Sequence, residues 1–281
     1  MAVLMPEPQN TMLGRETKYG DRYDPSLLQA IPRALGRDAI GAHDFRGVDV
    51  WRLYEFTWLA PSGLPRTAVL EMRVPATSPS IVESKSLKLY QGSFAQEVFP
   101  TAEAARSRFA ADLSRCLEAD VEVRLYDLLS APGASPLTEG ELLDDLALEA
   151  GAIAHYETEP QLLRAAEGSG RERLWRTTLF RSLCPVTGQP DYATVLVRFA
   201  GRIEPDPASL LAYLVSYRRH RGFHEQCCEQ IYHDLETRFS PDLLEVTAFF
   251  TRRGGIDINP FRSSVRDSAF ADGPAPRGVR Q

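Results

Sequence analysis

Cys184 stands in Ser182-Leu183-Cys184-Pro185, where an alternating β-rich run gives way to a turn bearing Pro and Gly, and Asp191 follows seven residues later across that turn. A free thiol titrates near ~8.5, so only a few per cent is thiolate at neutral pH unless a neighbour assists. If the turn closes tightly, the two side chains face each other. A carboxylate so placed can take the thiol proton and later return it to a developing anion. A buried structural cysteine fits the same residue, because Cys is among the most buried types, and spacing alone leaves both readings open.

Three further stretches could bind rather than react. His224-Glu225 opens a helix after Gly222-Phe223; the unpaired N–H groups and positive dipole end of a helix N-terminus suit Glu225 as a ligand-reading carboxylate, although first-turn capping explains the pair equally well. Glu83-Ser84-Lys85-Ser86-Leu87-Lys88-Leu89-Tyr90 places two lysines three apart among hydroxyls, which can hold phosphates on one helical face or form a solvated surface. Arg252-Arg253-Gly254-Gly255 follows a strand and offers guanidinium forks with close backbone approach; by itself it reads as a basic turn. There is no G-x-G-x-x-G after a strand and no G-x-x-x-x-G-K-[ST], so any nucleotide cofactor is held without those devices. Cys116, Cys227 and Cys228 form no C-x-x-C pair and read as helix-face packing, while the histidines show no ligand spacing, so no metal site is predicted.

The elements that must position these residues repeat. The first half runs 54–74, 81–94, a helix and 121–129; the second runs 178–203, 211–224, a helix and 243–250. Each half is therefore strand, turn, strand, helical segment, helix, strand. In 102–117, Phe109, Leu113, Cys116 and Leu117 share one face, with Thr101 as N-cap; in 224–239, Cys228, Ile231 and Leu235 do the same. Asp206-Pro207 supplies an N-cap and N1 proline for 208–219. Ala60 in the first copy stands where Cys184 stands in the second, and ESKSLK is replaced by YLVSYR. Drift after duplication accounts for this, as does a division of labour in which each copy keeps half of one site. The boundaries follow: a module over 1–129, a linker over 130–145, a second module over 146–262, and a Gly/Pro/Ser/Ala-rich tail over 263–281 predicted to fray.

The 281 residues are 43% hydrophobic and 25% charged with a net charge of −6, ordinary globular usage that argues against a large nonspecific nucleic-acid footprint. The absence of an apolar run of ~20 residues or a signal-peptide pattern points to the cytoplasm, with reduced thiols and no membrane contact.

Together these stretches resemble the NADPH-dependent 7-cyano-7-deazaguanine reductases of queuosine biosynthesis, a family of nitrile reductases. The resemblance rests on ESKSLKLY (83–90), Cys184 with Asp191, Phe-His-Glu (223–225) and R-R-G-G-I-D-I-N-P-F-R-S (252–263). Their order is similar to that of the long, two-module branch, and they span nearly the whole chain. The resemblance implies an α+β architecture of two tandem tunnelling-fold (T-fold) modules, each an antiparallel sheet layered with two helices, and a homodimer. It implies reduction of the nitrile of 7-cyano-7-deazaguanine to the primary amine with two NADPH, through a Cys184 thioimide. Asp191 and His224 would handle protons; Val82, Glu83, Ser84, His224 and Glu225 would touch the purine-like base; Ser84, Lys85, Arg253 and Gly254 would touch NADPH, with Ser86 and Lys88 nearby. Two alternatives are a pterin- or purine-processing enzyme of another class on the same fold and a non-catalytic purine-binding module.

Overall fold

The computed structural model describes residues 20, 22–134, 136–168, 170–265 and 276–281. The chain runs β1 (Ala30–Pro32), α1 (Ala34–Ile40), β2 (Gly47–Leu59), β3 (Pro65–Pro75), β4 (Ser80–Val82), α2 (Ser84–Ser93), α3 (Ala102–Leu117), β5 (Glu122–Tyr126) and β6 (Glu141–Leu142). It continues through β7 (Ala165–Glu167), β8 (Arg173–Leu183), β9 (Pro190–Ala200), β10 (Ile203–Pro205), α4 (Pro207–Ser216), α5 (His224–Phe239), β11 (Leu243–Phe250) and β12 (Ile256–Ser263). The architecture is α+β. Among the described residues one eight-stranded sheet has the order β5-β3-β2-β12-β11-β9-β8-β6, with two small sheets, β1-β4 and β10-β7, beside it.

The internal repeat reaches down to single hydrogen bonds. β2–β3 and β8–β9 are antiparallel hairpins, each with an irregularity in the first strand, between Leu53 and Phe56 and between Thr177 and Phe180. Glu83 caps α2 and Asp206 caps α4. Ser86 and Ser209 then donate to the carbonyls of those caps at 2.7 and 2.8 Å. One turn further, Tyr90 donates to Asp112 on α3 at 2.8 Å, and Tyr213 donates to Asp234 on α5 at 2.6 Å. Each of these tyrosines in turn has its carbonyl bonded by a serine, Ser93 or Ser216. The common spacing of Ser, Tyr and Ser in α2 and α4 is a repeat signal that hydrophobic periodicity alone passes over.

Among the described residues the four long helices, α2, α3, α4 and α5, cover one face of the large sheet. Trp51, Leu53, Phe56, Phe94, Phe109 and Leu113 form the core of the first half; Trp175, Phe180, Val197, Tyr213, Ile231 and Leu235 form that of the second. The registers place Ile256 opposite Leu53, Ile258 opposite Trp51 and Arg262 opposite Val246, so both cores lie on the same side.

Three features differ from the sequence expectation. The turn expected at Arg252–Gly255 is present, but it is followed by a strand the sequence reading did not place: Ile256–Ser263 forms β12, which pairs with β11 on one side and β2 on the other and welds the halves into one sheet. Part of the 130–145 stretch is zipped to the sheet edge: β6 pairs parallel with β8, and the Asp144 carboxylate accepts from the Thr178 N–H at 3.0 Å and from both threonine hydroxyls at 177 and 178. The end of the 263–281 stretch does not fray, since Gln281 is buried and bonded; residues 266–275 of that tail lie outside the described residues. In each case polar side chains find partners only after distant strands come together.

Candidate active site

Cys184 leaves the end of β8 in a tight turn. Its N–H donates to the Gln189 carbonyl at 2.8 Å, and Gly188, at φ +69°, donates to the Cys184 carbonyl at 3.0 Å. Ala60 holds the same place in the first hairpin, bonded to Leu64 and Gly63 in the same manner. The segment before α5 lies along the end of β8: Leu183 donates to His220 at 2.8 Å and Gly222 to Leu183 at 3.1 Å. That pairing delivers the N-terminus of α5 to the cysteine. There the Gln226 side chain accepts from the Phe223 N–H at 3.0 Å, while Glu225 is left to the cleft.

The Thr251–Gly255 turn joins β11 to β12. Arg253 and Ile256 exchange backbone hydrogen bonds at 2.9 and 3.1 Å, with Gly254 and Gly255 at φ +59° and +78°. Both positive φ values favour glycine, and a Cβ on Gly255 would stand 2.6 Å from the Glu55 carboxylate, which would have to swing aside. From the first half, β4 and the start of α2 supply Val82 and Ser84. The resulting cleft is lined by Val82, Ser84, Cys184, Asp191, His224, Glu225 and Arg253, floored by Trp51 and Ile258. A groove carrying Lys85, Lys88, Thr187, Gln189 and Gly254 continues from it through the shared Ser84, His224 and Arg253.

The register sets Asp191 opposite Ser182 rather than Cys184. Its carboxylate lies 3.4 Å from His224 Nε2 and 2.9 Å from Arg253 Nη1. Burial pulls the Asp191 pKa upward, but the His224 hydrogen bond and the charges of His224 and Arg253 outweigh it and hold the carboxyl below its usual range. The His224 ring stacks on Phe250 at 3.8 Å and 16°, which fixes its plane. His224 Nδ1 and Glu225 Oε1 are both buried without a partner. Buried orphans that line one cleft mark where a ligand's own polar groups would complete the bonding. Burial, then repulsion from Asp49, pushes Glu225 up to about 8, with Arg33 and Arg262 pulling the other way.

Behind Glu225 lies a set of charges that sequence reading missed. Arg262 bonds Asp49 at 2.7 Å and Glu229 at 2.7 Å, Arg33 reaches Asp49 at 2.5 Å, and Arg37 reaches Glu229 at 2.7 Å. These come from β12, β2, α5 and the region of α1. Arg262 belongs to a stretch already singled out, but the other four have no local pattern that could flag them.

Residues 19–125 match the family described as "Nitrile reductase, 7-cyano-7-deazaguanine-reductase N-term", and residues 190–269 match "QueF-like protein". A protein of Stenotrophomonas maltophilia (strain K279a) named NADPH-dependent 7-cyano-7-deazaguanine reductase is 46% identical over 264 residues, covering 92% of this chain and 94% of that one. The chain belongs to the 7-cyano-7-deazaguanine reductase family. A reductase of the same name from Burkholderia pseudomallei (strain 1710b) is 45% identical over 263 residues, with 92% and 94% covered. Among solved structures, the apo archaeosine synthase QueF-Like aligns with 18% identity and a TM-score of 0.31, over 35% of this chain and 95% of that one.

In this family member, the residues singled out from sequence do not all reach the cleft. Val82, Ser84, Cys184, Asp191, His224, Glu225 and Arg253 come together; Lys85, Lys88 and Gly254 lie on the adjoining groove. Both Glu83 oxygens accept from their own helix, at 2.7 Å from the Lys85 and Ser86 N–H groups. Ser86 is buried, bonded to the Glu83 carbonyl, and off both surfaces. Lys88 pairs with Glu55. Cys227 and Cys228 are buried in α5, where burial pushes their thiols upward, Cys227 to about 12; burial also raises Cys116. The groove's cations, Lys85, Lys88 and Arg253 beside the Gly254 backbone, are a donor set that fits the phosphates of a dinucleotide. Among the described residues no helix is long and apolar enough to cross a membrane.

Proposed function

We propose that this protein reduces the nitrile of 7-cyano-7-deazaguanine to the amine of 7-aminomethyl-7-deazaguanine with NADPH, at the cleft between its two halves. The arrangement that carries the reading is the convergence of Cys184 with the Asp191–His224–Arg253 cluster beside two buried, unpartnered ligand-binding atoms.

Cys184 adds to the nitrile carbon. The S–H proton ends on the nitrile nitrogen, giving a thioimide and dividing a difficult reduction into easier steps. Asp191, ionised at neutral pH, is the acceptor for a proton passing between thiol and nitrogen, and His224 relays it. Arg253 steadies the Asp191 carboxylate. Glu225 reads the N–H edge of the base through its open oxygen, and a site built for that edge penalises bases without it. Glu83 helps from the first half through its buried cap, which sets the start of α2 and with it Val82 and Ser84. NADPH, held by Ser84, Lys85, Arg253 and Gly254, supplies hydride when bound.

On this reading each half is a T-fold module, two chains form a homodimer, and the enzyme works in the cytoplasm without direct contact with nucleic acid. The test is to mix the protein with NADPH and the cyano base and follow nicotinamide absorbance. Base-dependent oxidation of two NADPH per amine formed is expected, and no oxidation with the cyano base would overturn the proposal.

A further inference from the structure

The sheet face opposite the helices carries a contact that the reaction described above does not use. Residues 276–281 lie across it. Gln281 is 5% exposed. Its amide donates to the Phe250 carbonyl at 3.1 Å and to Asn259, while its oxygen accepts from the Gly278 N–H at 2.8 Å. Asn259 donates onward to the Val50 carbonyl at 3.1 Å and to Asp257 at 2.6 Å. Arg277 lies over the Tyr54 ring at 4.8 Å, and Arg252 lies over the same ring at 4.7 Å. Arg280 donates to the Thr178 carbonyl at 2.9 Å and covers Tyr192 at 6.0 Å.

These contacts fall in a pattern. Side chains alternate across a strand, so the neighbour of a site residue points to the opposite face. Phe250 stacks on His224 on the helix face, and its carbonyl is held by Gln281. Tyr192 follows Asp191, its carbonyl takes the Thr251 N–H at 2.8 Å, and its ring lies under Arg280. Arg252 precedes Arg253 and shares the Tyr54 platform with Arg277. The hexapeptide thus touches Phe250 and Tyr192, behind His224 and Asp191, and reaches the far arm of the Thr251–Gly255 turn through Tyr54, whose ring lies under both Arg277 and Arg252 and whose N–H donates to the Gly255 carbonyl at 2.9 Å.

We infer that residues 276–281, through Gln281 and Arg277, are positioning residues that brace the Thr251–Gly255 turn from behind and set where Arg253 and Gly254 meet the cofactor. The inference rests on the proposed reading of that turn as part of the NADPH groove. Removing the Gln281 amide leaves the buried Asn259 oxygen and Phe250 carbonyl short of a donor, a loss relieved most easily by movement of the glycine-rich turn. The base pocket takes Val82 and Glu225 from β4 and α5, which the hexapeptide does not touch.

The experiment compares Gln281→Ala, Arg277→Ala and the conservative Gln281→Asn with wild type in the full-length chain. Gln281→Ala should raise the NADPH KM about tenfold, as expected for a loss of about 1.4 kcal/mol, with affinity for the base alone within twofold of wild type. Gln281→Asn should recover part of the loss. Amide hydrogen exchange at 251–255, measured without base or NADPH, should rise in Gln281→Ala and in a chain ending at residue 275. An NADPH KM unchanged in both alanine variants overturns the inference, as does a parallel loss of base and cofactor affinity, which would mean general loosening. Unchanged exchange at 251–255 also overturns it. Because that exchange is read without turnover, a protein inactive on the cyano base but with faster exchange refutes the assigned reaction and leaves the brace standing.

Discussion

Asp191→Asn removes one negative charge and almost no volume from the centre of the cleft. The wild-type carboxylate lies 3.4 Å from His224 Nε2 and 2.9 Å from the Arg253 guanidinium, and is 8% exposed at the side chain. At an effective dielectric near 20, a full charge pair at the Arg253 separation of 2.9 Å is worth about 6 kcal/mol. That is a ceiling, because Arg253 is 37% exposed and regains water when its partner is neutralised. General acid–base groups contribute roughly 10²–10⁴-fold, or about 2.7–5.4 kcal/mol at ~1.36 kcal/mol per tenfold, which the electrostatics can supply. Asp191→Asn is therefore expected to slow thioimide formation and turnover by roughly 10²–10⁴-fold. Base affinity should stay within about threefold, since the proposed reading gives the base edge to Glu225; a threefold change is only ~0.65 kcal/mol. Stopped-flow absorbance gives turnover, and intact mass spectrometry without NADPH gives the adduct rate. Turnover within threefold of wild type would refute the proton role, and a large loss of base affinity would relocate Asp191 to binding.

Intact mass spectrometry with the cyano base should show one added base per chain in wild type and in Cys116→Ala, and none in Cys184→Ala; an adduct persisting without Cys184 rejects the nucleophile. Lys85→Ala should raise the NADPH KM roughly 10- to 150-fold, the size of one lost charge-assisted phosphate contact at ~1.5–3 kcal/mol, while leaving base binding alone. Glu225 should tilt the ligand-free stability curve. Its folded pKa, about 8, lies above the ~4.3 of an unfolded Glu, so the fold holds its proton more tightly. That contribution is present below ~4.3 and is lost as pH rises through about 8. Urea midpoints at pH 5, 6.5 and 8 should fall more steeply in wild type than in Glu225→Gln, and equal slopes would count against the buried, protonated carboxyl. Arg262→Met should cost about 3–5 kcal/mol by leaving Asp49 and Glu229 undercompensated, a Tm drop of about 6–20 °C at ~2–4 °C per kcal/mol; a calorimetric shift under 3 °C would deny the cluster that weight.

Much of this was legible before any coordinates. Hairpins, caps and helix faces are short-range: Thr101 caps α3 through the Ala104 N–H, and Asp206 caps α4 through the Ser209 N–H, because the partners lie three residues apart. The repeat could be read for the same reason, since each half encodes its own strand and helix order, down to Ala60 and Cys184 at the same hairpin corner. The stretches 83–90, 184–191, 223–225 and 252–263 stand out through their resemblance to the reductase family, since spacing alone left each open to a structural reading.

Partnership was a different matter. Sequence spacing joined Asp191 to Cys184 across their turn, but the strand register set the carboxylate two residues back, opposite Ser182, and gave it to His224 and Arg253. ESKSLK read as one polar unit, yet the helix pitch divided it: Ser84 faces the cleft, Lys85 and Lys88 line the groove, and Glu83 and Ser86 turn inward as a cap. β12 was hidden because its two pairing partners are β11, just before it, and β2, some two hundred residues away, and no local period announces a strand whose faces are both covered. Local sequence sets which backbone bonds can form within a turn or a helix. Which charges share a cavity is decided by long-range pairing, where desolvation forces Asp49, Glu229 and three arginines from distant segments to satisfy one another.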